Sequence, residues 1–583
     1  MAGGAALAAL NAWIVWHAFF LEFAGKTNSM QGFWIAIARL ADGWWAPSWW
    51  PYWFGGMPFE FTYAPMVPWL AAVLGGAGLP LGRALHCVLA IAYCAGPVAL
   101  FFMARQLSGR AGWSFVAAAL YALWSPAELL LPDGAFAWSH VSGARRLYVT
   151  FVWDEAPHQL ALALVCVAVT MLARGSRVAA AFAMAAAALA NTFGVTSMAL
   201  FAVCLAASRG GWIPTALTGA AAWVLASPWL PPSLIVALRG NAQLFDESAF
   251  TARSWLALAI VLGGAALVHA MSRNRAGPAL RFALLLAWVC TAIPVLYYRA
   301  DLHFIPQAGR YKIEMELALT LLVVFAAAPW VDRLPGLARV VLALIAVGGA
   351  AHQAVEHRRY ARAELREADP SATIEARVAR WLDGNLPGQV VMAPGSIAQW
   401  MNAYGGAIQF NGGSYPTAPN AAQQRVLFAQ FGSPVDEAVN ALAEWGVDAV
   451  VVPGKSSPEF WKPYGDPAAY GKLRLLWRED DTSIFEIPRP GGVRVAWHGH
   501  NRAVVTGSWK AGEAVTIPVN FHAGWTAPVP IERGSNAMIV APSAPAGVIE
   551  LVFRGSWEQW LCRAASLAMA LTLAAARISG RVR

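Results

Sequence analysis

Apolar runs long enough to cross a membrane recur through this chain, and they leave it few folds to choose from. A helix that spans the hydrocarbon layer needs about 20 apolar residues, with some as short as 17. Runs of this kind lie near 5–23, 84–104, 112–127, 157–173, 178–193, 195–208, 212–226, 254–271, 280–297, 313–329, 336–352 and 559–576. They predict a polytopic α-helical membrane domain with about twelve transmembrane helices. The shorter, Gly-rich run MVPWLAAVLGGAGL (66–79) reads as a re-entrant or interfacial helix. No signal-peptide cleavage pattern follows the first run, which reads as a retained membrane helix.

Composition agrees with the runs. Of the 583 residues, 58% are hydrophobic and 13% charged, where a soluble domain carries about 25% charged residues. The net charge of +9 does not point to nucleic acid, because the arginines lie in short turns between apolar runs. Arg105, Arg110, Arg174, Arg177, Arg209, Arg273, Arg275, Arg281, Arg333 and Arg339 fall in alternate turns, and the tail ends in Arg577, Arg581 and Arg583. The positive-inside rule then places the N-terminus and tail on the cytoplasmic side. Loops 22–65, 128–156, 227–253 and 298–312, and the polar region after 353, would share the outer face. The six cysteines fall in or beside apolar runs, which leaves no disulfide framework or zinc motif in the polar region.

Glu22–Tyr63 is too long and too aromatic for a simple connection. It holds Trp34, Trp44, Trp45, Trp49, Trp50 and Trp53, and reads either as a structured loop roofing a cavity or as an aromatic belt at the membrane–water boundary. Its segment GFWIAIARLADGWW would be a helix lying along that boundary.

Four units are expected: a transmembrane domain over 1–352, an extracytoplasmic α/β module over 353–488, a β-sandwich over 489–555, and a last transmembrane helix with a basic tail over 556–583. In the α/β module Ser371 is the expected N-cap after Asp369-Pro370, while QVVMA (389–393) and DAVVV (448–452) read as buried strands. Ser433 and Pro434 open a helix through Trp445, and LRLLWREDDTSIFEIP is a hairpin around Asp480-Asp481. Alternating segments such as AVTIPVNF and VIELVFRG predict the sandwich.

The string WAPSWWPYWFGGMPFEFTYAPMVPWL resembles the signature of the YfhO-like bacterial membrane proteins, some labelled "6-pyruvoyl-tetrahydropterin synthase-related". RYKIEMELAL (310–319), VTFVWDEAPHQLALAL (149–164) and the tail FHAGWTAPVPIERGSNAMIVAPSAPAGVIELVF (521–553) extend the resemblance. That group is similar to the GT-C superfamily, membrane glycosyltransferases that use polyprenyl-phosphate sugars on the outer face. The resemblance implies a polyprenyl-phosphate-linked sugar and membrane lipid as partners, with a glycan, lipid or protein acceptor. A non-catalytic protein that binds lipid-linked glycans, or assists their assembly or export, is the alternative.

Such transfer needs a carboxylate to take the acceptor proton and a cation to meet the departing phosphate. In GT-C enzymes an Asp-Glu pair precedes an Ala-Arg on the surface helix. If Ala38-Arg39 matches that Ala-Arg, Met30 and Gln31 stand where the acids belong, and neither can act as a base. Asp154, Glu155 and Glu60 are the candidate catalytic acids. Glu60 also reads as a rim carboxylate or a partner for Arg39, and Asp154-Glu155 as acids favoured by a helix N-terminus. Arg310 and Lys312 are the candidate phosphate-binding residues, unless Arg310 merely pairs with Glu314 one turn on. His158, Tyr63 and Trp53 are candidate substrate-binding residues. No metal ligand is assigned, although a divalent metal near Asp301 and His303 stays open, and the isolated His498-Gly499-His500 is weak evidence for one.

Overall fold

A computed structural model describes residues 1–25, 30–132, 140–242, 250–430, 434–454, 467–489, 492–510, 513–536, 538–542 and 547–578. The chain is a polytopic α-helical membrane protein with a sheet-bearing C-terminal region. Its helices begin with α1 (Ala2–Ile14), α2 (Gln31–Leu40), α3 (Met66–Gly76), α4 (Leu81–Ser108) and α5 (Ala111–Leu123). They continue with α6 (Arg145–Phe151), α7 (Ala156–Ala173), α8 (Arg177–Ala190), α9 (Phe193–Arg209) and α10 (Trp212–Ala226). The last of this part are α11 (Pro232–Ala242), α12 (Ala252–Ser272), α13 (Pro278–Ala300), α14 (Lys312–Val331) and α15 (Gly336–Glu364).

Among the described residues, seven helices are long and apolar enough to cross a membrane, the last of them Trp557–Ile578. The other predicted spans α1, α5, α8, α9 and α10 have 13 to 17 residues. At 1.5 Å per residue they fall short of a hydrocarbon core of about 30 Å. The first run breaks into a 3-10 turn at Trp16–Phe19, where β-branched and aromatic residues of weak helix propensity follow one another. α4 and α7 sit in the bundle's interior, while α12, α15 and Trp557–Ile578 turn apolar side chains outward, as lipid requires.

α15 leads into α16 (Ile374–Asn385), α17 (Gly395–Tyr404), α18 (Ala421–Ala429) and α19 (Val435–Glu444), packed with a five-stranded sheet. Val390–Met392 lies between Ile408–Gln409 and Ala449–Val452, parallel to both. The hairpin Leu475–Glu479 and Thr482–Glu486 adds antiparallel to the far side. α16 is capped by Thr373, whose hydroxyl accepts the Ala376 N–H at 3.3 Å, and not by Ser371. Ser371 is spent one turn earlier, donating N–H and O–H to Asp369 at 2.8 and 2.7 Å. Ser433 lies outside the described residues. Beyond, a three-stranded and a four-stranded antiparallel sheet enclose a core that includes Val505, Ile517, Ile549 and Leu551. α20 (Trp557–Ile578) then closes the described chain.

The Trp-rich loop is interior. Trp34, Trp49, Trp50 and Trp53 are fully buried, and Trp45 is exposed. A hairpin pairs Trp49–Trp50 with Met57–Pro58 and turns through Phe54, Gly55 and Gly56, all with positive φ. Gly56 has no alternative, because a Cβ there would lie 2.2 Å from Trp49 Nε1. The Trp49 ring enters the sandwich core, with its centroid 4.9 Å from that of Trp525 and 5.1 Å from that of Phe553. From the α/β module, the Gln409 N–H donates to the Tyr52 carbonyl at 2.8 Å. From the sandwich, Asn520 Nδ2 donates to the carbonyls of Phe54 and Gly56, and Asn520 Oδ1 accepts from Asn420 at 2.9 Å.

Asn520→Ala would orphan two buried carbonyls and one amide, at a cost of roughly 2–4 kcal/mol. The full chain in detergent should melt several degrees lower, with faster proteolysis between the bundle and the sandwich. An unchanged melting temperature would refute the clamp.

Candidate active site

The site grows from the turn between α6 and α7 and from the first turn of α14. α6 ends at Phe151, and three residues later Asp154 adopts the left-handed conformation, with φ 58°. Asp and Asn tolerate that region better than most residues. The turn sends consecutive side chains in different directions.

Glu155 faces α14 and its approach. Its Oε1 meets Arg310 Nη1 at 2.8 Å, and its Oε2 lies 3.4 Å from His158 Nδ1. His158 Nε2 continues to Glu314 Oε1 at 2.6 Å, which also accepts the Ser197 hydroxyl at 2.5 Å. Phe193 lies against both the His158 ring and the Arg310 guanidinium. A second chain runs beside it. Glu128 Oε1 is shared by Lys312 Nζ at 2.6 Å and Arg145 Nε at 3.0 Å, and Arg145 Nη1 reaches Glu316 Oε2 at 3.0 Å. Apart from Arg310, whose side chain is 42% exposed, all of these charges are buried. A buried charge is tolerated only when paired.

Arg145, Arg310, Lys312 and Glu155 line a cavity of about 280 Å³, together with aromatic side chains from Trp153 and the end of α13. Burial would raise the Glu155 pKa. The hydrogen bond to His158 and the charge of Arg310 outweigh burial and hold it below the ordinary glutamate value. Tyr63 shares the neighbourhood. Burial pushes its phenol well above the ordinary value, Glu155 and Asp154 push the same way, and Arg310 opposes them.

Asp154 turns the other way. Its Oδ2 accepts the Met30 N–H, and its Oδ1 accepts Gln31 Nε2 at 3.2 Å. Met30 and Gln31 are the positions where the family resemblance calls for acids. A carboxylate therefore stands at the start of α2, supplied from the turn between α6 and α7.

The structure brings Asp154, Glu155, His158, Tyr63, Arg310 and Lys312 into one neighbourhood. Glu60 and Trp53 lie elsewhere. Glu60 accepts Gln559 Nε2 at 2.7 Å and faces Arg563 at 3.9 Å, both on α20. Burial raises the Glu60 pKa, opposed by Arg563. Trp53 Nε1 donates to Asn402 Oδ1 at 2.8 Å inside the contact with the α/β module. Arg310 pairs with Glu155 rather than with Glu314, since His158 occupies Glu314. Sequence reasoning passed over Arg145, Glu128 and Ser197; the Arg145-Arg146 pair just ahead of Asp154-Glu155 was the available signal. Asp301 pairs with exposed Arg253 at 3.0 Å, and His500 packs on Trp50 and Tyr52. Among the described residues no group of three or more His, Cys, Asp and Glu is placed to hold a metal ion.

No family model and no curated protein matches the chain. Among solved structures it is similar to the arabinofuranosyltransferase AftD from Mycobacteria, at 17% identity over 84% of this chain and 40% of that one, with a TM-score of 0.47. It thus spans about two fifths of that protein's length. It is also similar to ArnT from Cupriavidus metallidurans, at 15% identity over 82% and 96%, TM-score 0.46. A third is the oligosaccharyltransferase of Archaeoglobus fulgidus, at 12% identity over 77% and 69%, TM-score 0.43.

Removing Glu128 takes away the carboxylate that two buried cations share. Glu128→Gln should therefore destabilise the chain by about 3–5 kcal/mol, read as the midpoint of denaturant unfolding in detergent. A loss below 1 kcal/mol would mean that the pairing is dispensable. Glu155 gives a pH test. A carboxyl with a lower pKa folded than unfolded stabilises the chain above its unfolded pKa, and that stability fades as pH falls through the folded value. Glu155→Gln should be less stable at pH 7 and should lose less stability than the parent between pH 6 and pH 3, in melting curves. Parallel curves would contradict the lowered pKa.

Proposed function

We propose that the chain is an integral membrane glycosyltransferase of the GT-C type. It moves a sugar from a polyprenyl-phosphate donor to an envelope glycan, lipid or protein on the outer face of the membrane. The observation that carries this reading is the cavity walled by Arg145, Arg310 and Lys312, with the Asp154 carboxylate on the adjoining turn at the start of α2. The signature-like string through the first loop supports it independently.

The acceptor hydroxyl attacks the anomeric carbon opposite the phosphate. The new C–O bond forms as the bond from C1 to the phosphate oxygen breaks, and the anomeric centre inverts. Asp154 takes the hydroxyl proton. The departing lipid phosphate carries its charge to Arg310, the half-exposed cation, with Arg145 and Lys312 behind it; a guanidinium offers two parallel N–H donors to such a group. Glu155 fixes Arg310 in that orientation. With its lowered pKa it suits an anchor better than a base.

A second reading has its own observation. Both Asp154 oxygens are engaged by Met30 and Gln31, so the carboxylate also serves as a helix cap. A protein that binds lipid-linked glycans without transferring the sugar needs no more than that.

Purified protein in liposomes, given labelled sugar on undecaprenyl phosphate and a panel of acceptors, separates the two. Asp154→Asn should lower the transfer rate at least ~100-fold, the scale of a lost general base, while donor binding changes little. An unchanged rate removes Asp154 as the base. Donor binding without transfer by the parent protein selects the second reading.

A further inference from the structure

The aromatic side chains around the cavity are not used by the mechanism above, and their placement beside the cations says what they can hold. Trp153, Tyr297 and Tyr298 line the same cavity as Arg145, Arg310 and Lys312. They remain 49%, 37% and 58% exposed, in contrast to the buried tryptophans of the first loop. Tyr297 and Tyr298 meet edge to face, with centroids 5.0 Å apart. They lean over the turn that presents Arg310. A Cβ on Gly309 would come 2.6 Å from the Tyr298 hydroxyl and 3.2 Å from the Tyr297 ring, so glycine is what lets both rings settle there. An aromatic face carries partial negative charge and attracts the polarised C–H bonds on one face of a pyranose.

The charges on the wall restrict the sugar. Glu155 is the one carboxylate among the described residues that line the cavity, and its oxygens face Arg310 and His158. No carboxylate on that wall is left to receive an ammonium group.

We infer that Trp153, Tyr297 and Tyr298 form the platform for the donor's sugar, and that this sugar carries no ammonium group. The inference rests on the glycosyl-transfer reading, because it assigns the ring attached to the phosphate that Arg310 holds.

Soluble fragments test it on the full chain in detergent, with binding followed by calorimetry. The probes are inorganic phosphate, glucose 1-phosphate and glucosamine 1-phosphate, the last with a protonated amine. In the parent protein glucose 1-phosphate should bind about tenfold tighter than either of the others. Trp153→Ala and Tyr298→Ala should erase that advantage and leave phosphate within twofold. Trp153→Phe should keep it, which separates loss of the platform from loss of fold. Gly309→Ala should weaken glucose 1-phosphate selectively. If glucose 1-phosphate binds no tighter than phosphate, or its binding ignores Trp153 and Tyr298, the platform is refuted while the anion cavity stands. Equal or tighter binding of glucosamine 1-phosphate overturns the restriction on charge. If no probe binds, or Arg310→Ala leaves all binding intact, the phosphate cavity and the proposed function fall together with the platform.

Discussion

Charge pairing inside an apolar bundle is the constraint on which the rest of this structure turns. Arg145 needs Glu128 and Glu316, Lys312 needs Glu128, and His158 lies between Glu155 and Glu314. The pairs Arg145–Glu316, Lys312–Glu128 and His158–Glu314 join α6, the segment before α6 and α7 to the start of α14. The helices cannot slide or rotate past one another without stripping a buried charge of its partner, a loss of several kcal/mol per pair. Arg146 solves the same problem with neutral partners. It donates to the Tyr93 carbonyl at 2.6 Å and to Asn11 Oδ1 at 2.5 Å, and its guanidinium lies 3.7 Å from the Tyr93 ring centroid. It thereby fixes α6 to α1 and α4. Adjacent arginines on one short helix thus face opposite directions, one into the cavity wall and one into the bundle.

The first loop imposes a second constraint, of packing rather than charge. A short hairpin has too little surface to be stable alone. This one is finished by its neighbours, with Trp49 in the sandwich core, Tyr52 and Trp53 against the α/β module, and Glu60 against α20. The chain leaves the bundle after α15 and returns through α20, so the modules between them are tied to the bundle at both ends and at this hairpin. α2 belongs to the same loop. Arg39 on α2 donates to the carbonyls of Asn402 and Gly405 at the end of α17. The carboxylate at the start of α2 and the modules above it are therefore mechanically connected.

How much of this was legible follows from which interactions are local. Apolar runs and strand alternation depend on residues close in sequence, so the helical membrane fold and the sheets could be read directly. Helix lengths could not, because an apolar run does not mark where the helix inside it breaks, as the first run does after Ile14. The capping of α16 shows the limit at short range: Ser371 and Thr373 both fit the rule, and Pro370 decides by turning Ser371 back onto Asp369. At the site, Asp154, Glu155, His158, Arg310 and Lys312 stood out because ionisable residues at the ends of apolar runs are rare. Their partners did not. The i,i+4 rule couples Arg310 to Glu314, yet Glu155, more than 150 positions away, takes Arg310 while His158 occupies Glu314. Glu60 and Trp53 were drawn in by their neighbours in sequence, and sequence proximity does not fix the direction a side chain takes.

The turn at Asp154 joins these threads. In an ordinary extended or helical stretch, residues 153, 154 and 155 would alternate or wind with a fixed period. The left-handed conformation at Asp154 breaks that period. Trp153 lines the cavity, Asp154 reaches the start of α2, and Glu155 reaches Arg310 and His158. A residue held left-handed costs about 1 kcal/mol or more, and here the bonds from Met30 and Gln31 hold it there. Met30 and Gln31, which cannot act as a base themselves, contribute an N–H and an amide that hold a carboxylate in place. Where the α2 sequence has no acid, a carboxylate lies beside it in space, on the turn that also carries Trp153 and Glu155.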